Sequence, residues 1–211
     1  MDSIKAKLPS GFVCHQSLVS GLKMVFGGLY EIELAPPPAT ILDIGANAGS
    51  FALWAMDRWP KAKITCFEPS TPTLKHLYMN VSPEKHGGRV EIIGRAVTTM
   101  PGPYVFLHDG AHNTGERSIY MSNDNTECGE SVPVFHPKDL PPCELLKLDC
   151  EASEREILLN YPHLDKCRAV VMEYHRREEL PDMILALGKA GLRISRVDNM
   201  ECLVCFKRDG E

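Results

Sequence analysis

Two acidic residues stand at the ends of two apolar stretches and bracket a glycine turn. Residues 40 to 51, Thr-Ile-Leu-Asp-Ile-Gly-Ala-Asn-Ala-Gly-Ser-Phe, run from a strand pattern into a loop and then into a helical pattern. Gly45 and Gly49 permit tight turning and close approach of backbone to a ligand, while Ile41, Leu42 and Ile44 bury the strand. Asp43, just ahead of the turn, repels phosphate and suits a cationic or hydroxyl-bearing ligand. Glu68 follows the next apolar stretch, about 20 residues past the turn, where an acid accepts bonds from both hydroxyls of a ribose. Asn47 interrupts the G-x-G-x-x-G spacing that a dinucleotide needs. The ligand that fits is a nucleoside with positive charge and no phosphate.

S-adenosylmethionine, with its ribose, amino group and sulfonium, meets that description. Displacement at its methyl is in line, so the protein must align the acceptor atom and remove its proton. Ligands of open α/β sheets lie beyond the C-terminal strand ends, where Asp149 and Glu151 follow one apolar stretch and Glu173 and His175 another. Parallel neighbours are about 4.8 Å apart, so Asp149 and Glu173 can face one ligand. His175 or Asp149 is the expected general base, with Glu173 orienting it. A divalent metal held by Asp149, Glu173 and His175 is the alternative, and no metal is expected because nothing in the spacing fixes its geometry. In a purely structural reading, Asp149 and Glu151 cap the helix near Ser153.

These residues need a scaffold of alternating strands and helices. Helical spacing of Leu18, Leu22 and Val25 predicts an amphipathic helix over 16 to 26, ending at Gly27-Gly28. A short strand opening residues 40–51, a helix over about 48–58, a strand over 63–69, a helix capped at Thr71-Pro72 with Leu74, Leu77, Tyr78 and Val81 on one face, and strand 89–93 open a doubly wound sheet. Strand 145–148, a helix with a Ser153/Glu156 capping box, strand 169–172 and a helix from Pro181 repeat the rhythm. The last two strands, 192–197 and 201–207, have a connection too short for a parallel crossover and must form an antiparallel hairpin. The expected fold is α/β, a doubly wound and mostly parallel seven-stranded sheet with an antiparallel last strand. Residues 95–143 lack helical periodicity and read as an insertion carrying short strands near 104, 117 and 132. Its polar residues include Asp109, His112, Asn113, Glu116 and Arg117, and of these His112 and Asn113, with Glu151, are candidates for acceptor binding.

The chain of 211 residues suits one domain, with 1–36 as an N-terminal helical extension that either covers the acceptor or pairs in a homodimer. A net charge of -5 argues against general nucleic-acid binding, and no apolar run has the roughly 18 residues of a membrane span. Without a signal-peptide core, a cytoplasmic location is expected. The eight cysteines fall mostly in apolar patterns, and Cys202 and Cys205 lie in a strand that alternates faces, so neither disulfides nor zinc is expected.

The motifs 41–51, Phe67-Glu-Pro69 with Leu77 and Asn80, Gly94-Arg-Ala-Val97, Asn113-Thr-Gly115 and 146–157 resemble the FkbM family of S-adenosylmethionine-dependent methyltransferases. The usual Lys-x-Asp-x-Glu-Gly-x-Glu of that family is here Lys147-Leu-Asp-Cys-Glu-Ala-Ser-Glu154, with Ala152 in place of glycine. The resemblance implies the class I methyltransferase fold and methyl transfer to a hydroxyl of a small metabolite, sugar or polyketide-like acceptor. Asp43, Gly45, Asn47 and Glu68 would hold the cofactor, Ala96 would lie near the adenine, and Asp149 beside the methyl donor. A nitrogen acceptor, a non-catalytic binding module and, more remotely, a dinucleotide oxidoreductase are the rival readings.

Overall fold

The computed structural model of the chain describes residues 24–108, 117–120 and 129–211. Its strands are β1 (Thr40–Ile44), β2 (Lys63–Phe67), β3 (Val90–Ile93), β4 (Ala96–Val97), β5 (Tyr104–His108), β6 (Gly129–Phe135), β7 (Leu145–Leu148), β8 (Ala169–Glu173), β9 (Leu192–Asp198) and β10 (Leu203–Arg208). The α-helices are α1 (Ser50–Arg58), α2 (Thr71–Val81), α3 (Glu154–Asn160) and α4 (Leu180–Lys189). Seven strands form one sheet in the order β3-β2-β1-β7-β8-β10-β9. All pairs from β3 to β8 are parallel, and β10 runs antiparallel to both β8 and β9.

Alternation along β1 sends Ile41 to one face and Leu42 and Ile44 to the other, so each face gets its own apolar layer. Phe51, Ala52, Ala55, Leu77 and Val81 of α1 and α2 cover the first face, and Ile157, Leu158, Met183 and Leu187 of α3 and α4 cover the second. Each Phe, Leu, Ile, Val or Met among them contributes about 1.5 to 3 kcal/mol when fully buried. The order reverses at β1, where β2 lies on one side and β7 on the other. That switch opens a crevice beyond the C-terminal strand ends.

Local details depart from the spacing. Ser70, not Thr71, caps α2 by accepting from the Thr73 amide, and Tyr78 is exposed rather than packed. The Ser153/Glu156 capping box does not form. Ser153 makes no side-chain cap, Glu156 instead accepts from the amide and hydroxyl of Thr99, and Glu154 takes over the turn. β4, β5 and β6 build a separate three-stranded sheet, with Ser118 bridging to His108. Of the expected N-terminal helix only residues 24–26 are described, and they are helical. No helix among the described residues is long and apolar enough to cross a membrane.

Candidate active site

A cavity of about 330 Å³ opens at the switch point, walled by the turn after β1, the ends of β2, β7 and β8, and the segment just ahead of β1. Gly45, with φ +78°, makes its floor possible. A Cβ there would sit 1.7 Å from the Asp149 carbonyl oxygen, so only glycine allows the turns after β1 and β7 to touch.

Every backbone N–H from Gly45 to Gly49 is donated inside the protein. Gly45 and Ala46 both donate to the Phe67 carbonyl, Asn47 to Glu68 Oε2 at 2.9 Å, Ala48 to the Asn47 side chain at 2.8 Å and Gly49 to the Ala46 carbonyl. Glu68 Oε1 accepts from Ser70 at 2.8 Å. These bonds lock the Glu68 carboxylate at the cavity wall. Burial pushes it up to about 7, against the pull of the two amides and of Lys147. A pyrophosphate would find none of these five amides free.

Asp43 does not reach this cavity. It is fully buried under the turn, beside Lys147 in the β1/β7 register, with Lys147 Nζ 3.1 Å from its Oδ1. The role expected for it as a ligand to the cofactor is corrected to that of counter-ion. Lys147 also donates to the Gly45 carbonyl at 2.6 Å and lies 3.7 Å from Asp149 Oδ2. Burial pulls its pKa down, but Asp43 and Asp149 outweigh burial and keep it charged. Each strand, Thr-Ile-Leu-Asp-Ile and Leu-Leu-Lys-Leu, holds one charge in an apolar run, and in a sheet buried on both faces each charge requires the other. That was the signal for Lys147.

Beyond β7 and β8 the structure brings four acids around one histidine. His175 Nδ1 donates to Glu154 Oε1 at 2.9 Å, and its Nε2 lies 3.3 Å from Glu151, 3.8 Å from Glu173 and 4.0 Å from Asp149. Burial disfavours the imidazolium, but the bond and charge of Glu154 and the charges of Glu151 and Asp149 prevail and raise it to about 10. His175 is therefore a cation at neutral pH and is not the base that its type suggests. Burial, with Asp149 next, raises Glu173 to about 7. Burial also carries Glu151 to about 8, against the attraction of His175. Asp149, Glu151 and Glu173 line the cavity. The atoms offered by Asp149, Glu151 and His175 lie within 4.8 Å of one another, close enough to share a cation, and the His175 proton already answers that negative charge.

Glu154, 2% exposed, holds the turn by accepting from the Cys150 and Ala152 amides at 3.0 and 3.4 Å. Tyr30 reaches the site from 119 residues away and donates to Asp149 Oδ2 at 3.1 Å. No spacing announces such a partner. Ala96, buried in β4, and Asn47 line the cavity as well. His112 and Asn113 lie outside the described residues, with Asp109 and Glu116. Arg117 lines the cavity and pairs with Glu130 at 2.6 Å.

No protein-family profile matches the chain. It is 27% identical over 186 residues to the AMB antimetabolite synthetase AmbE of Pseudomonas aeruginosa, covering 68% of this chain and 9% of that protein. It is 24% identical over 179 residues to Methyltransferase sdnD of Sordaria araneosa, covering 68% of this chain and 69% of that one. The chain thus spans less than a tenth of the first relative's length. An O-methyltransferase family protein of Burkholderia thailandensis superposes with a TM-score of 0.51 at 11% identity, over 92% of this chain and 57% of that one. A ribosomal protein L11 methylase of Lactobacillus delbrueckii subsp. bulgaricus gives 0.51 at 10% identity, over 88% and 78%. The fold is that of class I methyltransferases.

Proposed function

We propose that the chain is an S-adenosylmethionine-dependent methyltransferase of the FkbM type, acting on a hydroxyl of a small metabolite, sugar or polyketide-like acceptor. The observation that carries this reading is the turn after β1, whose five amides are all satisfied internally while a buried carboxylate, Glu68, faces the cavity. Such a wall accepts bonds from ribose hydroxyls and offers nothing to phosphate. Asp149 and the ionised form of Glu173, across the cavity, suit the positive charge of the same ligand.

S-adenosylmethionine, once bound, supplies an electrophilic methyl group on a sulfonium. The chain's own residues do the rest. Glu68 holds the ribose, Asn47 fixes Glu68, and Ala96 leaves room for the base. Glu173, raised to about 7, accepts the acceptor's proton, because its carboxylate and acid forms are both populated at neutral pH. His175, held as a cation by Glu154, orients Glu151 and limits the negative charge. Asp149, tied on one oxygen, aligns the acceptor with the other.

Thermal unfolding with S-adenosylhomocysteine, S-adenosylmethionine and NAD tests the cofactor. An adenosyl ligand at 100 times its dissociation constant adds about 2.7 kcal/mol, several degrees for a chain of this size. Stabilisation by NAD alone overturns the reading. Incorporation of labelled methyl into a panel of hydroxyl and amine acceptors then tests the reaction, with transfer to nitrogen only counting against the hydroxyl.

A further inference from the structure

The segment ahead of β1 enters the site as a wall rather than a linker. Met24, Val25, Leu29 and Tyr30 line the cavity. Tyr30 is buried, its ring meets Phe51 edge-on at 5.5 Å, and Lys147 Nζ lies 5.8 Å from its centre. Arg196 of the edge strand β9 donates to the carbonyls of Gly28, at 3.3 Å, and Leu29, clamping the segment from outside.

Asp149 Oδ2 is thereby committed. It accepts from the Tyr30 hydroxyl at 3.1 Å and faces Lys147 Nζ at 3.7 Å. Its partner atom Oδ1 is 4.0 Å from His175 Nε2, on the side of Glu151 and Glu173. A carboxylate with one oxygen held by a hydrogen bond and drawn toward a cation is restrained in its rotation, which orients the other oxygen.

We infer that Tyr30 is a positioning residue of the transfer site, setting the orientation of Asp149, and that Arg196 keeps Tyr30 in place. The inference rests on the methyltransferase reading above. Burial, then the charges of Asp149 and Glu173, push the phenol well above its usual range, so Tyr30 stays a hydrogen-bond donor and does not serve as a base.

Tyr30→Phe keeps the ring and removes only the donor. With the full chain and the acceptor found by methyl labelling, it is expected to lower kcat tenfold or more. Affinity for S-adenosylhomocysteine should stay within twofold, and the unfolding temperature should fall only by the few degrees that one lost hydrogen bond costs. Arg196→Met, which removes the clamp on the Gly28 and Leu29 carbonyls, is expected to lower kcat in the same sense but less. An unchanged kcat in Tyr30→Phe overturns the inference. So does a parallel loss of cofactor affinity and stability, which marks a packing role alone. If the unmodified chain binds no adenosyl ligand or transfers no methyl, the methyltransferase reading falls, and this inference with it. Transfer by the unmodified chain that Tyr30→Phe preserves rejects the positioning role only.

Discussion

At His175 the surrounding charges, more than the residue type, set what the side chain can do: one bond to Glu154 and three further carboxylates within 4.0 Å stabilise its proton. In the proposed mechanism the proton-accepting role then falls to Glu173, whose raised pKa places its titration near 7. We expect kcat/KM to rise with pH through about 7 as Glu173 ionises, and Glu173→Gln to remove that rise along with most of the rate. Rate against pH for the two proteins is the check. Glu68→Ala removes the proposed acceptor for the ribose hydroxyls, and charged hydrogen bonds are worth about 1.5 to 3 kcal/mol each. Calorimetry should show S-adenosylhomocysteine binding at least tenfold weaker, with the Asn47 and Ser70 amides also losing their partner.

Strands and turns supply the next constraints. β1 and β7 carry Asp43 and Lys147 side by side in a sheet covered on both faces. Lys147→Met leaves a buried carboxylate unpaired and should destabilise by about 3 to 5 kcal/mol, read as a lower urea midpoint. The turn after β7 is strained. Ala152 has φ +82° and Glu151 φ +54°, in the left-handed region that favours glycine. Ala152→Gly should therefore stabilise the chain, by at most about 1 kcal/mol, if relief of strain exceeds the entropy that glycine adds to the unfolded chain. Guanidine unfolding measures the sign. Alanine at 152 thus leaves the turn in place and raises its conformational energy.

For the molecule as a whole, the site couples folding to pH. Glu68, Glu151 and Glu173 have folded pKa values raised above the ordinary 4.5, and His175 is raised above 6.5. Each binds its proton more tightly when folded, so each contributes stability in full below its unfolded pKa and loses it as pH climbs through its folded value. The windows are about 4.5 to 7 or 8 for the acids and 6.5 to 10 for the histidine. Stability should fall steadily from pH 5 to pH 10, and His175→Gln should flatten the fall above pH 7. Denaturant unfolding at pH 6 and pH 9 tests both. The alternation of apolar strands and helices, the glycine turn and the final short connection by themselves determined the seven-stranded sheet and its antiparallel β10, because period, turn chemistry and loop length are local properties. They also placed Glu68, Asp149, Glu151 and Glu173 at strand ends, where the sheet's C-terminal edge must gather them. Only the tertiary structure decided that Asp43 faces Lys147 instead of the cavity, that Glu154 and not Ser153 organises the helix start, that His175 is a cation, and that Tyr30 reaches Asp149. Those outcomes depend on burial and on charges brought together from distant parts of the chain, and the spacing of residues along it carries neither quantity.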